Sequence, residues 1–473
     1  MDPHPLRRRR APAAAVALLL ALPLTGCTAG GDGDGGGGTR GGGRAAPGAA
    51  GLRDPYFPRL GNGGYDVRHY ALTLDYDPRT GRLSGSADIT ARATQALSAF
   101  NVDLTGLTVQ GALVDGEAAA VSRSGTEVTV RPGAAVKDGA TFRTVIRYSG
   151  VPVTITDAEG AEEGWLRTAD GAVALGEPTG STAWFPGNHH PSDKATYTVA
   201  VTVPEGLEAV SNGELTARTS RGGRTTFTWR STEPMASYLA TLAIGRYRTT
   251  TSRTGSGLPV HTAARGNPAL LGEIPEVLEW ETGKFGPYPF SSTGAIVDPL
   301  VDVQYALETQ NRPFFDKSTF DLPTLVHEMA HQWYGNSVSP KSWRDMWLNE
   351  SFATYAEWLY AEDFGGTPVQ ESFDEAFADE ENWAFPPAKP PTAEDLSGPP
   401  VYGRGAMVLH KVRQAVGDDT FFAILRGWPA KYRHANASTE DFTRYVEAES
   451  GKDLSGLWDT WLYGEGRPTG PSA

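Results

Sequence analysis

Thr324-Leu325-Val326-His327-Glu328-Met329-Ala330-His331-Gln332-Trp333, followed by Trp347-Leu348-Asn349-Glu350, is the stretch on which the reading of this chain turns. The apolar residues around the two histidines have helical spacing, entered after Pro323 and ended at Gly335. Side chains four apart share a helix face, so the imidazoles of His327 and His331 can converge on one ion. Two neutral imidazoles, a carboxylate and an open coordination position are the donor set of a catalytic zinc. Glu350, separated from His331 by eighteen residues at the start of a second predicted helix, is the candidate third ligand. Glu328 is turned aside from the ligand face, where it can polarise a water. Glu357 lies seven residues beyond Glu350 on the same face and can accept a hydrogen bond from a ligand imidazole. The bland alternative is an amphipathic helix with two surface histidines.

The pattern resembles the gluzincin aminopeptidases, the family of aminopeptidase N and the leukotriene hydrolase. Trp347-Leu348-Asn349-Glu350-Ser351-Phe352-Ala353 stands where that family has W-L-N-E-G-F-A, with Ser351 for glycine. Trp184-Phe185-Pro186 and Pro191-Ser192-Asp193-Lys194-Ala195-Thr196-Tyr197 match its W-F-P and P-S-x-K-A-T-F stretches. Tyr305-Ala306-Leu307-Glu308-Thr309 occupies the place of G-A-M-E-N, and Tyr402-Gly403-Arg404-Gly405-Ala406 that of Y-x-K-G-A. The resemblance implies one zinc per chain on His327, His331 and Glu350, with Glu328 as general base and Tyr402 as hydrogen-bond donor to the oxyanion. It implies that Glu308, Ala306 and Glu177, just ahead of the W-F-P stretch, bind the free amino terminus of a peptide substrate. The implied fold is α+β: an antiparallel, saddle-like sheet domain, then a mainly helical thermolysin-like catalytic domain with a small sheet. The implied activity is removal of amino-terminal residues. An endopeptidase with an open cleft and a catalytically idle peptide-binding lipoprotein stand as alternatives. Longer relatives add a large helical carboxy-terminal domain, for which this chain leaves no room.

Composition bounds the rest. The chain has 473 residues, 21% charged and 39% apolar, which is ordinary for a folded soluble protein of two or three domains. Its net charge is −14, and nothing basic enough for nucleic acid is present. A single cysteine, Cys27, excludes an intrachain disulfide and a thiolate-pair metal site. Arg7 to Arg10, an apolar run from Ala13 to Leu22 and Leu24-Thr25-Gly26-Cys27 resemble a bacterial lipoprotein signal. The run is too short to span a membrane. This implies loss of the leader and a lipid anchor on Cys27 at the extracytoplasmic face.

The expected organisation is a signal at 1–27, a glycine-rich tether at 28–51, a sheet domain at 52–250 and a catalytic domain at 251–473. Strand alternation is plain in Tyr70, Leu72, Leu74 and Tyr76 and again in Tyr197, Val199, Val201 and Val203. A helical pattern of Leu270, Ile274, Val277, Leu278 and Glu281 follows, and Val303 to Thr309 reads as an edge strand. The adjacent His189 and His190 point to opposite sides of an extended chain, which argues for a solvated loop over a second metal site.

Overall fold

In the computed structural model, which describes residues 44–156 and 160–470, alternation sets the amino-terminal half. Tyr70, Leu72, Leu74 and Tyr76 on strand Tyr65–Asp77 are all buried, and the residues between them face outward. Strand Lys194–Pro204 runs parallel beside it, pairing Thr196 with His69 through Thr202 with Asp75. Tyr197, Val199, Val201 and Val203 are buried along that strand, and Tyr70 stacks on Tyr197 at 4.9 Å between ring centroids. These two strands lie within an eleven-stranded, largely antiparallel sheet that closes with the hairpin of Glu214–Arg221 and Arg224–Ala236. Gly222 and Gly223 make that turn with φ of 60° and 73°, the left-handed conformation a two-residue hairpin requires.

A second, five-stranded antiparallel sheet runs in the order 208–211, 242–245, 172–175, 162–167, 154–156. A third sheet starts with Arg248–Arg253 antiparallel to Pro259–Ala264 and continues in parallel through Thr293–Val297 and Phe314–Phe315. It therefore begins just ahead of the boundary expected at 250. The helices that follow are α1 (Ile274–Phe285), α2 (Leu322–Ala330), α3 (Trp347–Asp363), α4 (Val369–Ala378), α5 (Gly405–Val416), α6 (Asp418–Lys431) and α7 (Thr439–Ser450). One hydrophobic core fills the helical part. The other runs from the sheets into Ile296, Val301, Leu307, Phe314, Trp343 and Met346. Among the described residues no helix is long and apolar enough to cross a membrane.

Three expectations are corrected. Ordered structure begins inside the stretch read as tether: Ala46–Pro47 pairs with strand Leu97–Asp103, and the Gly48 amide donates to Ala99 O at 2.9 Å. A Cβ on Gly48 would sit 2.4 Å from Gly63 O, so this glycine serves close packing. His189 and His190 are buried rather than solvated. His189 shares hydrogen bonds with Ser237 Oγ and Phe185 O at 3.0 Å each, and His190 faces the buried Asp54. Val303 to Thr309 is no ladder strand, since a single bridge, Leu307 to Phe314, ties it to a neighbour. The signal, Cys27 and the rest of the tether lie outside the described residues.

Candidate active site

Helix α2 starts where Asp321 caps it, accepting from the Thr324 amide at 2.9 Å, with Pro323 in the first turn. Its buried face, Leu325, Val326, Met329 and Ala330, fixes the rotation that turns His327 and His331 toward α3. Gly335, with φ of 120°, lets the chain pass beneath: a Cβ there would lie 3.2 Å from Asn349 Nδ2 and 3.3 Å from His331 Nδ1. Helix α3 is anchored at its start by Trp347, whose indole donates to Thr439 Oγ1 at 2.9 Å. Glu350 then stands one turn in, facing α2.

The expected triad is assembled. His327 Nε2 lies 3.3 Å and His331 Nε2 3.4 Å from the same Glu350 oxygen. His327 Nδ1 meets Glu357 Oε1 at 2.6 Å, and His331 Nδ1 meets the Tyr334 carbonyl at 3.0 Å. Both acceptors fix the neutral-ring proton on Nδ1, so two Nε2 lone pairs point at a carboxylate oxygen. Three acceptors in that arrangement repel unless a cation lies between them. Zinc bonds of about 2.0–2.1 Å at a tetrahedral centre place neighbouring ligand atoms about 3.4 Å apart, so the residues present fit zinc. Without a metal, protons take the cation's place. Burial disfavours charged imidazoles, yet Glu350 and its neighbours push His331 up to about 9 and His327 well above its ordinary value. The imidazoles in turn overcome burial at Glu350 and hold it down to about 2.

Carboxylates dominate the remaining walls. Glu328 is buried, with Oε2 unpartnered, and burial pushes its carboxyl up to about 8. Glu308 is buried with Oε1 unpartnered, and half-buried Glu177 has its Oε2 unpartnered. Oxygens of Glu177, Glu308 and Glu350 lie within 4.8 Å of one another. Burial first, and then their mutual proximity, lifts the Glu177 carboxyl well above the carboxylate range. Tyr402 sits in a turn of π-helix (Pro400–Arg404) ahead of α5, its ring 6.0 Å from that of His327 at 19°. Burial, then the surrounding carboxylates, holds its phenol protonated at neutral pH. Arg404 turns away, donating to the carbonyls of Trp461 and Gly464. Ala306 lines the same cavity of about 720 Å³.

Other residues were not legible as part of this site. Glu163 accepts from the amides of Thr179 and Gly180 at 2.9 and 2.8 Å, pinning the turn that presents Glu177. Asn336 Nδ2 and Gln332 Nε2 donate to Glu308 O at 2.6 and 3.3 Å, replacing the ladder that this segment lacks. Gln332, Asn336 and Ser337, polar residues closely following the histidines, were the available signal.

Residues 67–239 match the peptidase M1 N-terminal domain, and residues 310–461 match the peptidase family M1 domain. A solved M1 zinc metallopeptidase from Deinococcus radiodurans superposes with a TM-score of 0.83 at 31% identity, covering 89% of this chain and 98% of that one. The chain belongs to peptidase family M1. A two-domain M1 zinc metallopeptidase mutant bound to L-arginine gives a TM-score of 0.84 at 31% identity, covering 89% of this chain and 99% of that one. Among curated relatives, probable aminopeptidase 2 of Sulfurisphaera tokodaii is 28% identical over 59% of this chain and 39% of its own length. Aminopeptidase N of Streptomyces lividans is 26% identical over 59% of this chain and 36% of its own length. The matches thus span about two fifths of these curated relatives.

Proposed function

We propose that this M1 chain is a zinc aminopeptidase that removes residues one at a time from peptides with a free amino terminus. The observation that carries the reading is the pair of carboxylates, Glu177 and Glu308, each with an unpartnered buried oxygen beside the histidine–glutamate triad. An ammonium brings three donors and a charge to such a pair. Solved relatives bound to L-arginine and to the substrate Tyr-Ser-Ala support it.

His327, His331 and Glu350 would hold the zinc, which when bound supplies Lewis acidity and a more acidic water. Glu328 takes the proton of the attacking water and returns it to the departing amine. Tyr402 donates to the oxygen that gains charge at the first peptide carbonyl. Glu177 and Glu308 fix the substrate's ammonium, and so set which bond lies in reach. The amino-terminal segment, read from Arg7–Arg10 and Leu24-Thr25-Gly26-Cys27, would anchor the enzyme by lipid at the extracytoplasmic face.

A timed digest of matched free and acetylated peptides, followed by mass spectrometry, tests the reading. Acetylation places a neutral amide against two carboxylates, so kcat/KM is expected to fall by about a hundredfold or more. Fragments should shorten only from the amino end. Internal cuts in the acetylated peptide at a comparable rate would overturn it.

A further inference from the structure

The stretch from Pro191 to Tyr197 has no part in the chemistry above, yet its lysine crosses the junction between the domains. Lys194 opens strand Lys194–Pro204, where it pairs with Ala236. The strand is held firmly at that end. Asp193 accepts from the Val67 amide at 3.2 Å and from Asn188 Nδ2 at 2.5 Å, and Ala195 and Tyr197 are buried in the sheet core. From this base Lys194 Nζ reaches Asn336 O at 2.9 Å, Ser337 O at 3.0 Å and Ala435 O at 3.5 Å. All three acceptors are main-chain carbonyls of the helical domain.

The turn that Lys194 grips is the one that follows the histidines. Its amides are bound to the end of α2: Asn336 N donates to His331 O at 3.0 Å and Ser337 N to Gln332 O at 3.1 Å. Its carbonyls are left to other donors, Lys194 for both and Ser339 Oγ for Asn336 O at 3.1 Å. Asn336 and Ser337 are buried, so a carbonyl deprived of Lys194 has little water to turn to. The Asn336 side chain leaves this turn for Glu308, whose carbonyl it holds at 2.6 Å. Gln332 reaches the same carbonyl only at 3.3 Å. With one bridge, Leu307 to Phe314, in the segment 303–309, the main chain at Glu308 depends on these side chains. A continuous path of hydrogen bonds thus joins the sheet domain to the carboxylate that meets the substrate's amine.

We infer that Lys194 is a positioning residue for the substrate's ammonium, holding Asn336 and, through it, Glu308. The inference rests on the aminopeptidase reading. Without Lys194 two buried carbonyls lose a donor, and the turn shifts to find others. Asn336 then carries the Glu308 main chain with it, and the carboxylate leaves the place where it meets the amine. The triad is set by the packing of α2 on α3, so ligands that need only the triad should bind as before.

The test uses the zinc-loaded full chain and two inhibitors that differ by one group: L-leucine hydroxamate and 4-methylpentanohydroxamate, its analogue without the amine. The wild type should bind the amine-bearing compound more tightly. Lys194→Met should raise its Ki, and KM for leucyl coumarin amide, by about tenfold, the worth of one charge-assisted contact. The Ki of the amine-free compound and kcat should stay close to wild type. Lys194→Gln is milder because it keeps two donors, and should move the ratio of the two Ki values the same way by less. A ratio is insensitive to a smaller folded or zinc-loaded fraction. Asn336→Ala should lower the preference for the amine as Lys194→Met does, and combining the two should add little, since both lie on one path. Asn436 makes a neighbouring tie across the junction, its Nδ2 donating to Pro191 O at 2.8 Å and Pro340 O at 3.0 Å. Asn436→Ala should therefore leave the ratio alone. A ratio unchanged in the Lys194 variants, or one that falls as far in Asn436→Ala, overturns the role of Lys194 and leaves the aminopeptidase reading intact. A wild type that binds both hydroxamates equally overturns that reading and the inference with it.

Discussion

A glutamate removed from water must be given a proton or a cation, and this site packs several glutamates around two imidazoles. Glu328→Gln keeps the volume and a hydrogen-bonding oxygen but cannot accept the proton of water. It should retain zinc while losing nearly all turnover, and elemental analysis beside kinetics checks both halves. Tyr402→Phe should lower kcat by about 10²–10³, the scale of one oxyanion donor; near-wild-type kcat would make Tyr402 a packing residue. Glu357→Gln touches no ligand position but weakens the acceptor on His327 Nδ1, 2.6 Å away. Zinc affinity should fall by about 10–100-fold, measured by competition with a chelator. His189, which is no candidate ligand, gives a separate pH test. Burial, offset in part by the Phe185 carbonyl, holds its folded-state value at about 4. The unfolded chain titrates near the ordinary value of about 6.5, so between these values only the unfolded state binds the proton. Stability is intact above about pH 6.5 and falls as pH drops toward 4, by at most about 1.4 kcal/mol per pH unit. Urea unfolding should show the wild type losing that much relative to His189→Gln, and a difference independent of pH would contradict the assignment.

At the level of elements, α3 and α5 approach through their smallest residues. Ser351, one position after Glu350, donates to Val401 O at 2.8 Å and so ties the zinc helix to the turn that carries Tyr402. A Cβ on Gly405 would fall 1.7 Å from Ser351 Oγ and 2.8 Å from its Cβ. Gly405→Ala should therefore cost about 1–3 kcal/mol and lower kcat by displacing Tyr402. Adding Ser351→Gly should recover much of both, measured by thermal unfolding and steady-state rates; no recovery would mean that the strain lies elsewhere. Such pairings mark the boundary of what was legible. The zinc helices could be read because His327, His331 and the apolar residues between them repeat with a local period. The strands around Tyr70 and Val199 could be read for the same reason. The segment 303–309 could not, because its form is imposed from outside: Asn336 and Gln332 hold Glu308 O, and the Gln304 amide donates to Asp316 at 2.7 Å. His189 and His190 looked solvated because no local pattern reports that Ser237 and Asp54, distant in sequence, come to cover them. Gly48 looked like tether because composition alone cannot tell a flexible glycine from one that permits close packing.

For the whole molecule, the decisive feature is that the active site is shared between the sheet domain and the helical domain. Glu177 comes from the turn after strand Ala172–Leu175, whereas Glu308 and the triad lie beyond residue 300. Asn212 Nδ2 bonds both Leu239 O and Gln310 O, Arg312 reaches Ser211 O and Gly213 O, and Lys194 Nζ donates to Asn336 O and Ser337 O at 2.9 and 3.0 Å. A single apolar core also crosses the junction, taking in Ile296, Leu307, Phe314 and Trp343 together with residues of the sheets. Separating the two domains would expose that core and strand these buried polar groups, so the two halves are expected to unfold together. Chains of this size often unfold domain by domain. Here a single transition is expected, with calorimetric and van't Hoff enthalpies in agreement. Zinc sharpens the test, because every candidate ligand lies in α2, at its C-cap or in α3. A ligand bound to the folded state alone stabilises it by RT ln(1 + [L]/Kd), about 4 kcal/mol at a thousandfold excess over Kd. If unfolding is shared, chelation lowers the melting temperature of the sheets and the helices by the same amount, although the sheet domain supplies no ligand. Calorimetry with and without chelator, paired with far-ultraviolet dichroism and aromatic near-ultraviolet signals, decides the point. Two resolved transitions, with only one moved by the chelator, would show that the sheet domain folds independently and that Glu177 is held in place by docking alone.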